Sequence, residues 1–133
     1  MSGYRMLLSA AIASAVAAFF SLSWNMLYSE ALLVDFSKPV SILAITVGSI
    51  FGTTLLFAAH FFAIERFGNK AERWLNVLIM LLTFVSTLSC FAYTLPLETK
   101  RPDLFIGLVV PMHFFPALSF WALLPFFRTA NGR

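Results

Sequence analysis

The sequence has few charged residues and a single cysteine. Nine Lys or Arg and six Asp or Glu make up 11% of the 133 residues, whereas a soluble domain carries about 25%. So few charges cannot cover a soluble monomer in which 60% of the residues are hydrophobic. The lone Cys90 excludes a disulfide-stabilised scaffold and a CxxC thiol oxidoreductase. These absences exclude an ordinary cytosolic enzyme and a disordered regulator, and they indicate an integral membrane protein.

Four long runs contain no Asp, Glu, Lys or Arg, at about residues 6–28, 40–64, 74–94 and 104–127. A helix needs about 20 mostly apolar residues to cross the bilayer core. The runs are apolar throughout instead of alternating every second residue, which favours helices over barrel strands. The sequence therefore predicts one all-α domain, residues 1–133, with four transmembrane helices in an antiparallel up-down bundle.

The connections carry signals for helix ends. Ser37, before Lys38-Pro39, is expected to cap the second helix, and Gly68 is expected to end it in a left-handed conformation. Asn69 and Glu72 have the spacing of a capping box for the third helix.

Basic residues are distributed unequally between the two sides of the predicted bundle. The side with both termini holds six, and the other side holds three. They are Arg5, Arg66, Lys70, Arg73, Arg128 and Arg133 on the first side, and Lys38, Lys100 and Arg101 on the second. The positive-inside rule then places both termini in the cytoplasm. The small positive excess follows this rule, so we expect no nucleic-acid partner. Trp24 and Trp74 lie near span ends and are expected to be interfacial anchors, with membrane lipids as partners.

The second span contains a ridge of small residues, Ala44, Gly48 and Gly52. Small residues at this spacing let two helix backbones approach closely. The ridge is either a homodimer seam or a packing face within the chain. Ala10, Ser14 and Ala18 of the first span are a candidate complementary face for the second case.

The third span has a polar stripe. Asn76, Thr83 and Cys90 recur every seven residues and share a face, which Ser86 and Thr87 extend. The stripe either lines a site for a small molecule or lipid headgroup, or it supplies interhelical hydrogen bonds of about 0.6 kcal/mol each.

Two histidines lie within the spans, and an ionisable residue there is a candidate functional site. His113 is ~13 Å from the outer end of its helix, at the depth of Thr83 and Ser86. It is expected either to bond one of these hydroxyls or to anchor a ligand. His60 is ~6 Å from the inner end of its helix and is expected to be an interfacial anchor. The ~15 Å difference in depth argues against a shared metal or haem, so no metal and no cofactor are expected.

Pro111 and Pro116 flank His113 in the fourth span, which also contains Pro125. A proline cannot donate to the carbonyl four residues earlier, so Gly107 and Met112 lose their helical partners. We expect a bent helix with a cavity around His113.

The pattern resembles a group of small bacterial four-span membrane proteins known as a domain of unknown function. The resemblance rests on residues 48–53 (GSIFGT), residues 83–86 (TFVS) and Met112-His113, and it covers about residues 6–127. It implies a helix-3 Thr/Ser pair and a helix-4 Met-His as one candidate site, in a bacterial inner membrane. The prolines around His113 depart from that family's pattern.

Three functions are compatible with these features. The first is a non-enzymatic accessory subunit or binding module with a lipid or small-molecule site formed by Thr83, Ser86, Thr87, His113 and Asn76. The second is a small oligomeric transporter or channel, lined by the polar stripe. The third is a membrane enzyme acting on a lipid, with His113 as base. The partners expected are lipids, a second copy through the second helix, or a larger membrane complex.

Overall fold

The computed structural model describes residues 3–129, which are all-helical apart from their connections. The helices are α1 (Gly3–Leu32), α2 (Ile42–Phe67), α3 (Ala71–Ala92) and α4 (Phe105–Thr129), and a short 3₁₀ turn, Pro102–Leu104, leads into α4. All four α-helices are long and apolar enough to cross a membrane. The predicted helical class and the four candidate spans are confirmed. Arg133, which entered the charge count, lies outside the described residues.

The helix ends differ in detail from the prediction. Ser41, not Ser37, caps α2, and its hydroxyl accepts a hydrogen bond from the Ala44 N–H at 3.1 Å. Gly68 ends α2 with φ +71°, the positive φ expected there, but its ψ of −173° is extended and differs from the left-handed helical conformation. The capping box at Asn69 was wrong, because α3 begins at Ala71 and its cap position is Lys70, which makes no side-chain cap bond.

The four helices form a bundle in which α1 and α3 occupy opposite corners. Each of the two contacts both α2 and α4, and within the described residues they do not contact each other. The α1 face that meets its neighbours is made of small residues, which permit close backbone approach. Its fully buried members are Ser9, Ala13, Ala17 and Ser21.

Polar contacts join α1 to both neighbours. The Ser14 hydroxyl donates to the Ile50 carbonyl of α2 at 3.4 Å. On the α4 side, the Trp24 indole donates to the Leu108 carbonyl at 3.1 Å, and the Tyr28 hydroxyl donates to the Leu104 carbonyl at 2.8 Å. The α1 helix is therefore held to α4 by aromatic donors and to α2 by hydroxyls.

Two separate hydrophobic clusters stabilise the bundle. In the first, the Phe57 and Phe120 rings meet edge to face at 5.0 Å, together with Ile79 and Leu124. The second lies near the connections before α2 and α4 and includes Val34, Phe36, Cys90, Phe105 and Leu108. The space between the two clusters is not filled by side chains.

Candidate ligand-binding cavity

A cavity of about 540 Å³ lies between the two clusters. It is walled by α2, α3 and α4, with Ser21 of α1 at its back and Pro39 and Val40 at one end. The cavity borders the first cluster at Ile79 and Ala117 and the second at Val109. Its volume is within the range of small-molecule sites, about 300–1,000 Å³.

The cavity opens between α2 and α3. Among its lining residues, Ala44, Gly48 and Leu55 of α2 and Leu82 of α3 are exposed, whereas Val109 and Ala117 of α4 are buried. In a bilayer, such an opening faces the acyl chains. A ligand would therefore enter sideways from the lipid.

Three of the predicted site residues meet in this cavity. Thr83 and Ser86 of α3 and His113 of α4 all line it. The other two predicted members do not line it. Thr87 is buried, and its hydroxyl donates to the Phe84 carbonyl at 2.7 Å. The side-chain oxygen of Asn76 accepts a hydrogen bond from the Trp121 indole at 3.2 Å.

His113 is held by its own helix. Its Nδ1 lies 2.9 Å from the Val109 carbonyl oxygen. Because a carbonyl only accepts, Nδ1 is the donor of this bond, and in the tautomer of the imidazole that carries its proton on Nδ1 the acceptor is Nε2. The expectation of a bond to a helix-3 hydroxyl was wrong, since Thr83 and Ser86 donate to carbonyls of their own helix.

The Cys90 sulfur contacts the same imidazole. It lies 3.5 Å from Nδ1 and 3.8 Å from Nε2. The two distances are too similar for the sulfur to lie on the lone-pair axis of either nitrogen. A thiol is also a weak donor, so Nε2 keeps its capacity to accept from a ligand.

The small-residue ridge of α2 forms a wall of the cavity. A Cβ added to Gly48 would have no heavy atom within 4 Å, and one added to Gly52 would meet the Pro116 ring at 3.5 Å. Helix α1 packs on a different face of α2, where Ser14 and Ser21 reach Ile50 and Ser49. The expected match between the ridge and the small face of α1 was therefore wrong.

The proline-containing part of α4 contributes Met112 and Pro116 to the lining. This agrees with the expectation of a cavity around His113. Trp24 and Tyr28 donate to the carbonyls of Leu108 and Leu104, not to those of Gly107 and Met112, whose helical donors the prolines remove.

Two of the three predicted anchors face the bundle. His60 is only 7% exposed, and its ring meets Phe120 edge to face at 5.5 Å. Trp24 is half-buried, bonded to α4 and packed on Tyr28. Both side chains fill space between helices, and their role as interfacial anchors stays a prediction. Trp74 is 77% exposed beside the α2–α3 connection, and its role as an anchor stays a prediction.

Sequence reasoning missed two features of the site. Ser49 and Ser21 are bonded to each other at 3.2 Å behind the cavity, and Cys90 supports the His113 ring. Both are contacts between helices, which periodicity within one helix does not reveal. Within residues 3–129, no three His, Cys, Asp or Glu side chains are grouped in a way that would hold a metal ion.

Comparison of the chain with protein-family models, curated proteins and solved structures finds no match. The resemblance to the bacterial four-span family stays a prediction. The described residues define the class: four helices, long and apolar enough to span a membrane, with a side-opening cavity between them. Five polar side chains line this cavity, namely Ser21, Ser49, Thr83, Ser86 and His113.

Proposed function

We propose that this chain is a non-enzymatic integral membrane protein that binds a lipid or a lipophilic small molecule in the cavity between α2, α3 and α4. The observation that carries the proposal is the convergence of Thr83, Ser86 and His113 on one side-opening, mostly apolar space of about 540 Å³. Apolar walls with a few convergent polar groups are typical of ligand sites.

The lining favours binding over catalysis and transport. His113 is the one lining residue with an ionisable side chain, so a second acid or base for lipid chemistry is not supplied there. The Thr83 and Ser86 hydroxyls donate to backbone carbonyls, and neither is activated as a nucleophile by a hydrogen bond to His113. The first cluster, with Phe57 and Phe120 at its centre, fills the bundle beyond one end of the cavity. A polar path through a single chain would have to cross that cluster.

The same proposal includes a topology, an antiparallel bundle with both termini in the cytoplasm of a bacterial cell. It is supported by the excess of basic residues near the termini and the α2–α3 connection. It is further supported by an exposed ion pair at 4.0 Å between Lys38 and Glu98, which brings the α1–α2 and α3–α4 connections together. The inner membrane is the location we propose. There the protein acts as a binding module, alone, as a homo-oligomer or as an accessory subunit.

Blocking the cavity tests the binding function. Gly48→Leu places a side chain into open space in the cavity, so it should displace the ligand without disturbing a neighbour. Ala58→Leu is the matched control, because Ala58 is exposed on the same helix and does not line the cavity. The wild type and both variants would be purified in mild detergent, and their retained lipids and metabolites identified by mass spectrometry.

We expect the wild type and Ala58→Leu to retain one class of molecule, and Gly48→Leu to retain at least about tenfold less, which corresponds to about 1.4 kcal/mol. Equal retention by Gly48→Leu and the wild type would contradict the proposal, as would a wild type that retains no defined molecule.

A further inference from the structure

The hydroxyl groups that α3 contributes to the cavity already use their protons within the protein. The Thr83 hydroxyl donates to the Ile79 carbonyl at 2.8 Å, and the Ser86 hydroxyl donates to the Thr83 carbonyl at 2.7 Å. A hydroxyl has one proton and two lone pairs. Both side chains therefore face the cavity with capacity to accept, not to donate. Ser21 and Ser49 are buried at the back of the cavity, where the Ser49 hydroxyl donates to the Ser21 hydroxyl.

Helix α4 adds acceptors to the same space. The Nδ1 proton of His113 is engaged by the Val109 carbonyl, which leaves Nε2 as an acceptor. Pro116 has no N–H, so the Met112 carbonyl lacks its usual helical donor, and both residues line the cavity. The polar groups of α3 and α4 around the ligand space thus have surplus acceptors, and the donors of Thr83, Ser86 and His113 Nδ1 are occupied.

The lining also carries no charge. It contains no Asp, Glu, Lys or Arg, and a charged group taken into an apolar site without a partner is strongly disfavoured. An ammonium, a carboxylate or a phosphate would find no Asp, Glu, Lys or Arg there as a counter-ion. The ligand must therefore supply hydrogen-bond donors without carrying a charge.

Resting on the proposed function, we infer that the ligand is a neutral lipophilic molecule whose polar group is a hydrogen-bond donor, namely a hydroxyl or an amide N–H. Molecules of the same shape that only accept, such as ethers, ketones and esters, are discriminated against. For these, the acceptors of Thr83, Ser86 and His113 stay without a partner, and losing water from an acceptor without a replacement bond is unfavourable.

A matched pair of probes tests this selectivity. The first is a long-chain primary alcohol, and the second is its methyl ether, which keeps the chain and loses the donor. Occupancy of each in protein-containing nanodiscs would be measured by native mass spectrometry at equal mole fraction in the lipid. We expect the alcohol to bind about three- to tenfold more tightly, the effect of one hydrogen bond.

Variants locate the selectivity. Thr83→Val and Ser86→Ala remove cavity acceptors and should lower the alcohol-to-ether ratio, whereas Ser89→Ala should leave it unchanged. Ser89 is the matched control because it lies on α3, is exposed and does not line the cavity.

The outcomes distinguish a failure of the donor selectivity from a failure of binding in the cavity. Equal binding of both probes, blocked in each case by Gly48→Leu, overturns the donor selectivity and leaves the binding function in place. Tighter binding of the ether also overturns the selectivity. Binding of neither probe, or binding that Gly48→Leu does not affect, counts against the cavity as the binding site.

Discussion

Tyr28 of α1 packs against Gly107 of α4. A Cβ added to Gly107 would overlap the Tyr28 hydroxyl, which donates to the Leu104 carbonyl. Gly107→Ala should therefore displace the ring, break this hydrogen bond and lower the free energy of unfolding by about 1–3 kcal/mol. Reversible unfolding in mixed micelles would measure the change.

A double-mutant cycle gives the control for this prediction. In a Tyr28→Phe background the hydroxyl is gone, so adding Gly107→Ala should destabilise the protein less than it does in the wild type. An equal effect of Gly107→Ala in both backgrounds would contradict the contact as the cause.

Single residues also show where sequence reasoning stops. His113, Thr83 and Ser86 could be grouped from the sequence, because depth along a straight helix follows from residue number. Asn76 lies on the same predicted stripe, yet it bonds Trp121. The polar stripe of α3 therefore lines the cavity at Thr83 and Ser86 and contacts Trp121 at Asn76. Which of these environments a stripe residue meets depends on the α4 side chain opposite it.

At the scale of one helix, α2 shows what periodicity does and does not determine. The spacing of its small residues predicted a ridge, and Ala44, Gly48 and Gly52 do lie along one side of the helix, where they line the cavity. Periodicity does not say what a ridge faces, and here it faces the cavity, because α1 meets α2 through serines on another side. The prolines of α4 predicted the position of the cavity better, because a proline removes a hydrogen bond within its own helix whatever the neighbouring helices are.

The ridge gives a contrasting pair of substitutions. Gly48→Leu enters open space and also gains helix propensity, so stability should stay the same or rise by up to about 1 kcal/mol. Gly52→Leu meets the Pro116 ring and should destabilise by about 1–3 kcal/mol. Unfolding in micelles, together with light scattering to follow the oligomeric state, would compare the two. Dissociation of a dimer by Gly48→Leu would instead identify the ridge as a homodimer seam.

The connection between α1 and α2 should show a pH dependence. Hydrogen bonds from the Ser37 hydroxyl and backbone N–H hold the pKa of the Asp35 carboxyl below its ordinary value. A lowered pKa in the folded state means that the turn is stabilised at neutral pH, and that this stabilisation is lost as the pH falls through the folded-state pKa. Carboxyl carbon NMR of the protein in micelles should give an Asp35 midpoint below the ordinary value.

Ser37→Ala is the control, because it removes the hydroxyl and should move the Asp35 midpoint back toward that value. A wild-type midpoint at or above the ordinary value would contradict the described turn.

At the scale of the whole molecule, the number of spans followed from composition, since runs without charge are long and the connections are short. The cavity did not follow. It exists because two clusters of large side chains, around Phe57–Phe120 and Phe36–Phe105, fill the bundle at separate levels and leave small residues between them. Which large side chains meet is a property of four helices together, and no single span encodes it.

Topology is the whole-molecule property that labelling tests most directly. The Lys38–Glu98 ion pair brings two connections to one end of the bundle. The distribution of basic residues predicts that this end lies outside the cytoplasm. In a Cys90→Ser background, Leu97→Cys, at a fully exposed position, should react with a membrane-impermeant maleimide in intact bacterial cells. Asn69→Cys, exposed at the α2–α3 connection, should react only after permeabilisation.

Labelling at these two positions distinguishes a wrong orientation from a wrong arrangement of the helices. The reverse pattern would keep the antiparallel bundle and invert its orientation, so the six-to-three charge bias would have been misleading. Labelling of both positions from the same side would contradict the antiparallel bundle itself.

Replacing Arg66, Lys70 and Arg73 by Gln removes the charge bias, because the terminal side then keeps three basic residues against three on the other side. If that bias sets the topology, the variant should insert in mixed orientations, and both cysteines should be partly labelled in intact cells.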